Sequence, residues 1–248
     1  MKFSSIAFSV LAFTALSTMT AYAEEMTDAQ VETIVKKVIA QNPDLIVKSL
    51  QSYEAKQHAA AASKSAQYIK NAQNDLKNNA NSPAIGNMEG DVTLVEFFDY
   101  HCGYCKHFFP TMVNLLNQDK NLKIVFKEFP ILADDSTTAA RAALAVNHID
   151  KSKYLQFHTA LMQSSGAFTM DMVAAKAQAL GISKKDLEKA MNDPAVDEEL
   201  RHNRDVGMAL NITGTPTLIV GTEITPGAIS MDTLKDKITQ ARKDGGKS

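Results

Sequence analysis

The chain of 248 residues has no tryptophan, only 2 cysteines and only 7 prolines. Cysteine this scarce excludes a disulfide-rich scaffold, and a chain of this length buries an adequate core without cross-links. Charge of one sign is missing too: 26 Lys and Arg stand against 28 Asp and Glu, a net charge of −2, so the basic surface that nucleic acid requires is absent. Beyond the N-terminal segment no apolar run reaches the roughly 20 residues of a membrane span. No internal repeat is found, and only an alanine-rich stretch and the charged tail from Arg242 are compositionally biased.

The first residues carry one positive charge, Lys2, then an uncharged run from Phe3 to about Met19, then Ala21-Tyr22-Ala23 before Glu24-Glu25. That order predicts a secretory signal over residues 1–23, cleaved after Ala23. A chain exported this way works where disulfides persist. Its two cysteines make a poor structural staple, because Cys102 and Cys105 are three apart and a bond between them closes a tiny ring. The pair therefore points to chemistry.

Residues 24–80 read as a helical arm with a linker helix. Thr27 and Gln30 make a capping-box pattern, and Val31, Ile34, Val35, Val38 and Ile39 follow at helical spacing. Asn42-Pro43 opens a second stretch through Leu45, Ile46, Leu50 and Tyr53. From Glu54 to about Lys77 a long helix is expected, with Ala55, Ala59, Ala62, Ala66, Ile69, Gln73 and Leu76 in a narrow stripe. So thin a stripe must lean on another domain or on a second copy of itself, and the expectation is a dimerisation arm, the alternative being a solvated linker helix. Asn78 to Gly86 reads as a linker.

Residues 81–248 alternate differently. Strands are expected over 92–98, 122–129 and 217–220, with a return strand through Ile224 after a turn at Gly221. Five helical patterns fill about 131–210, and a closing helix runs from about Met231 to Arg242. Strands flanking a helical block give an α/β class.

The chemistry concentrates in Phe98-Asp99-Tyr100-His101-Cys102-Gly103-Tyr104-Cys105, just past a strand and at a helix start. Free backbone N–H groups at a helix start favour a thiolate, so Cys102 is expected to be exposed, with a lowered pKa, and to form the mixed disulfide. Cys105, one turn on, is expected to face inward and resolve it. Glu96 lies inside an apolar strand, where a carboxylate is costly without a partner or a task. It is the candidate to relay the proton of Cys105. His101 is placed to assist as a cation. The second half of the site is Gly214-Thr215-Pro216-Thr217, where Thr215 and Pro216 are the candidates for pairing with an extended substrate.

These residues resemble the DsbA family of thiol-disulfide oxidoreductases in the thioredoxin superfamily. The likeness rests on Val95 to Tyr100 leading into Cys102-Gly103-Tyr104-Cys105, on the helical block, and on Gly214 to Thr217 with Pro226-Gly227. It implies a thioredoxin fold with an inserted all-helical domain, a cis Pro216, Glu96 as the buried acid, and a periplasmic home. Gly103-Tyr104 and Thr215 look like DsbC-type isomerases, which dimerise through an N-terminal domain. The combined likeness implies a homodimer with oxidase and isomerase roles. Its partners would be unfolded or misoxidised exported proteins, with a membrane redox partner of DsbB or DsbD type. The expected redox group is the Cys102–Cys105 disulfide, with no other cofactor and no metal.

Two other readings stay open. His101, Cys102, Cys105 and His107 put four soft or borderline ligands within seven residues, which suits a periplasmic copper-binding or copper-tolerance protein. The arm also suits a redox-independent chaperone. Covalent haem is excluded, because Lys106 stands where attachment needs histidine.

Overall fold

The computed structural model describes residues 26–245, so the signal expected over 1–23 lies outside the described residues. The chain forms two compact units, one up to Ala55 and one from Lys56 onward.

In the first unit, helix α1 (Asp28–Gln41) starts at the expected capping box: the Gln30 amide donates to Thr27 Oγ1 and the Thr27 amide to Gln30 Oε1. Helix α2 (Pro43–Asn71) begins here and runs on into the second unit. Val31, Ile34, Val35, Val38, Leu50 and Tyr53 are all exposed.

The expected boundary between two helices near Glu54 does not exist; α2 is continuous and instead ends at Asn71, followed by the short α3 (Gln73–Asn78). Nothing near Glu54 breaks the backbone, since the stretch has no Gly or Pro. Ile69 and Leu76 are buried in the second unit's own core, which anchors this end of the helical stretch.

The linker reading also needs correction. Ala84–Gly86 forms an edge strand, β1, antiparallel to β3 (Leu122–Glu128). Three residues are too short for alternation to reveal them in the sequence, and pairing alone makes them a strand. Strand β2 (Val92–Phe98) is the middle of a five-stranded sheet of order β1-β3-β2-β4-β5, where β4 is Thr217–Val220 and β5 is Glu223–Pro226. Only β2 and β3 run parallel. The β4–β5 turn uses Gly221 at φ 63°, a left-handed conformation suited to glycine.

Helix α4 (Gly103–Gln118) follows β2 directly and contains Pro110. The helical block is α5 (Ser136–Ile149), α6 (Lys151–Met162), α7 (Met170–Ala179), α8 (Lys184–Met191) and α9 (Pro194–Ala209), and α10 (Met231–Gly245) closes the chain. Alternation along β2 and β3 sends Leu94, Phe98, Ile124 and Phe126 into one core with residues of α4, α6 and α10. Val95, Phe97 and Val125 enter a second core with Ile69, Leu76, Val206 and Leu210. This is an α/β thioredoxin fold with added helices. Among the described residues no helix is long and apolar enough to cross a membrane.

Candidate functional site

The two cysteines sit where the middle strand gives way to α4. Cys102 is the N-cap of that helix, and its Sγ accepts the Cys105 amide at 3.3 Å. The same sulfur lies 3.2 Å from the carbonyl oxygen of Thr215, on the segment that leads into β4. The Thr215–Pro216 bond is cis. Thus Thr215 and Pro216, over a hundred residues away, are brought onto the leading cysteine. Both cysteines carry free thiols.

The expectation that Cys102 is exposed is not met: it is 5% exposed. The helix cap and the Thr215 carbonyl together enclose it. The outermost motif residue is Tyr104, 72% exposed. A Cβ on Gly103 would meet nothing within 4 Å, so packing does not require glycine there.

Cys105 and Glu96 are fully buried. Glu96 pairs with Phe126 on one side and Leu218 on the other, in the middle of the sheet. Neither of its carboxyl oxygens has a hydrogen-bond partner. Burial, and then charge on Cys102, push its carboxyl well above the usual range. Burial, and then the Glu96 charge, push the Cys105 thiol up as well. Each group thus favours its neutral form, and each opposes ionisation of the other.

His101 is taken up elsewhere: its Nε2 is 2.7 Å from Asp135 Oδ1, and its ring meets Phe168 edge-on at 4.7 Å. His107 is exposed. Among the described residues no group of three or more His, Cys, Asp or Glu side chains is arranged to hold a metal ion. The four candidate copper ligands therefore do not converge.

Residues 93–239 match the family model described as DSBA-like thioredoxin domain. The chain belongs to this family. A thioredoxin-like oxidoreductase from Silicibacter pomeroyi DSS-3 is 38% identical, with a TM-score of 0.65 over 68% of this chain and 97% of that one. BcfH of Salmonella enterica Typhimurium is 26% identical, with a TM-score of 0.74 over 86% of this chain and 95% of that one. A putative protein-disulfide oxidoreductase of Rickettsia typhi is 25% identical over 68% of this chain. The chain spans 64% of that relative's length and 24% of another, the Na(+)/H(+) antiporter NhaA 1 of Salinispora arenicola.

This DsbA-like site contains residues that sequence reasoning missed. Asp99 is a buried hub: Oδ1 accepts the His101 amide and the Ser136 hydroxyl, and Oδ2 accepts the amides of Ile131 and Leu132. It ties the motif loop to the start of the helical block. Lys106 adds a second tie by donating to the Ser164 carbonyl. Behind the motif, Tyr100, Glu128, Tyr154 and His158 form a buried polar cluster. The sequence signal there is weak, since Glu128 follows Lys127 at the end of a strand that also carries Lys123, unlike Glu96 among apolar residues.

Proposed function

We propose that this chain is a thiol-disulfide oxidoreductase that forms and isomerises disulfides in exported proteins through its Cys102-Gly103-Tyr104-Cys105 motif. The observation that carries the reading is the setting of Cys102, whose sulfur caps α4 and faces the Thr215 carbonyl while the Cys105 thiol lies buried behind it. Membership of the DsbA-like family supports the same chemistry.

In oxidation, a client thiolate attacks Cys102 Sγ of the Cys102–Cys105 disulfide. A client–Cys102 bond forms, the Cys102–Cys105 bond breaks, and Cys105 leaves as a thiolate that takes a proton, with Glu96 as the donor. A second client thiolate attacks the client sulfur and releases the Cys102 thiolate. The client has lost two electrons and the motif has gained them. In isomerisation the Cys102 thiolate attacks a wrong client disulfide, forming a client–Cys102 bond and releasing one client thiolate. A different client thiolate then attacks the bound client sulfur, forming the new disulfide and releasing the Cys102 thiolate. Thr215 and Pro216 line the place where an extended client would lie, and His101, Gly103 and Tyr104 shape the rim.

Localisation in the periplasm rests on the signal pattern of residues 1–23. Recycling would need a membrane partner of DsbB type for the oxidase role or DsbD type for the isomerase role. The arm supports self-association as a homodimer, because α1 and the start of α2 leave a row of large apolar side chains exposed in a single chain. The match to BcfH covers more of the chain than the unit from Lys56 onward, so it reaches into these helices.

Refolding of scrambled ribonuclease by the reduced protein tests the activity. Cys102→Ser should abolish it, whereas a redox-independent chaperone would keep all its activity. For the arm, Ile34→Glu with Val38→Glu should lower the sedimentation mass to one subunit and weaken isomerisation. An unmodified chain that already sediments as one subunit at micromolar concentration would rule out the dimer.

A further inference from the structure

The interior behind the cysteines holds more acid than the exchange reaction uses. Glu96 and Glu128 lie on the neighbouring parallel strands β2 and β3, with Glu96 opposite Phe126 and Glu128 opposite Phe98. Side chains alternate along a strand, so all four share the face turned toward α4 and α6, and the two carboxyls are diagonal neighbours. Both are buried, Glu96 at 0% and Glu128 at 1% exposure. Lys127 points to the opposite face, where Ser82 and Glu199 hold it. The groups facing the pair are Asp99 and Tyr100 from the loop after β2, Cys102 at the cap of α4 and Cys105 within it, and Tyr154 and His158 from α6. From β4 comes only Leu218, and from α9 the uncharged Asn203, which donates to the Glu128 backbone carbonyl.

Two buried carboxylates without a cation do not both ionise at low cost. Burial pushes both carboxyls well above the usual range, and Glu128 Oε2, like both Glu96 oxygens, has no hydrogen-bond partner. The hydroxyls on Glu128 Oε1, which bring that carboxyl back down, therefore decide which of the two ionises first. Glu128 Oε1 accepts the Tyr100 hydroxyl at 3.1 Å and, at the outer limit of a hydrogen bond, the Tyr154 hydroxyl at 3.5 Å. The Tyr100 oxygen is also 2.8 Å from Nδ1 of His158.

A phenol has one proton to give. With Glu128 ionised, Tyr100 donates to it and Nδ1–H of His158 donates to Tyr100. With Glu128 neutral, its carboxyl donates to Tyr100 and Tyr100 donates to a bare Nδ1. The second arrangement puts the His158 proton on Nε2, a buried atom without a partner, whereas the first leaves that atom bare, so the chain favours the ionised form of Glu128. Burial pushes the His158 imidazole down to about 3, so the ring itself stays neutral in both.

We propose that Glu128 is a positioning residue of the exchange site: supported by Tyr100 and His158, it carries the charge of the carboxyl pair and so keeps the proton on Glu96, beside Cys105. This rests on the oxidoreductase reading above. When a client thiolate opens the Cys102–Cys105 bond, the departing Cys105 thiolate takes that proton. When Cys105 attacks a mixed disulfide, its proton returns to Glu96 and the client leaves as a thiolate.

The test is the pH profile of the Cys105-dependent resolution of a glutathione–Cys102 mixed disulfide, measured on the full chain. Glu128→Gln removes the like charge, so Glu96 gives up its proton at lower pH. The limb of the profile that Glu96 governs should move down by roughly one unit, a tenfold rate change on that limb. Tyr100→Phe, which withdraws a donor from the Glu128 carboxylate, should move it the same way and carries the test if Glu128→Gln does not fold. In a Glu96→Gln background neither substitution should move the profile. An unmoved limb in an active single variant, or an equal shift without Glu96, overturns the proposal. Failure of the function reading looks different, since the wild-type chain would then not exchange with glutathione disulfide at all.

Discussion

Nε2 of His101 lies 2.7 Å from Oδ1 of Asp135, so the residue just before the leading cysteine is fastened to the N-cap position of the first helix in the helical block. Oδ2 of the same carboxyl accepts the Phe168 amide at 2.6 Å, and Phe168 in turn packs on the His101 ring. One carboxylate thus joins the motif loop to two segments that are distant in the chain.

The Phe168 amide, and after it His101, hold the Asp135 carboxyl below the usual carboxylate range. A carboxyl whose folded value is depressed stabilises the fold above its unfolded value, and that stabilisation disappears as pH falls through the folded value. Asp135→Asn should therefore be less stable than wild type in urea at neutral pH, and the gap should close as pH falls below the usual carboxylate range. A gap that is constant with pH would show that the charge contributes nothing.

Lys127 and Glu199 are both buried, 3.7 Å apart, with Ser82 bonded to each and Asn79 donating to Glu199. Removing one member leaves the other charge buried without its partner, which costs about 3–5 kcal/mol. Glu199→Ala should lose stability of that order in chemical denaturation. The double variant Lys127→Met, Glu199→Leu should lose much less, because no charge is left unpaired. Equal losses in the two would mean that packing, and not charge, dominates at this position.

Gly207 lies in α9 against the ring of Phe129, and a Cβ there would sit 2.6 Å from the ring's Cε2 atom. Helix propensity favours alanine by roughly 1 kcal/mol, but overpacking against a buried ring costs about 1–3 kcal/mol. Gly207→Ala should thus be neutral to destabilising, and Phe129→Leu should relieve it. A clear rise in the urea midpoint of the single variant would contradict this packing.

Local pattern made much of the molecule legible. Apolar periodicity located β2, β3 and β4 and all five helices of the block, because each buries one face or both against a core that spacing alone discloses. The strand-to-helix placement of Cys102 and Cys105 and the isolation of Glu96 among apolar residues were readable in the same way. The β1 strand, the continuity of α2 past Glu54 and the enclosure of Cys102 were not. Each of these depends on a partner elsewhere in the chain.

The sequence by itself determined the chemistry at hand: two thiols at a helix start, a carboxyl in an apolar strand, and a proline-bearing turn before the last strand pair. Only the tertiary structure decided what surrounds them. It brings the Thr215 carbonyl onto Cys102, sets Glu128 diagonal to Glu96, and places His158 against Tyr100. The reason is physical. Composition and spacing report what a residue does to its near neighbours along the chain, whereas the cost of a buried charge or proton depends on groups that only folding brings within a few ångströms.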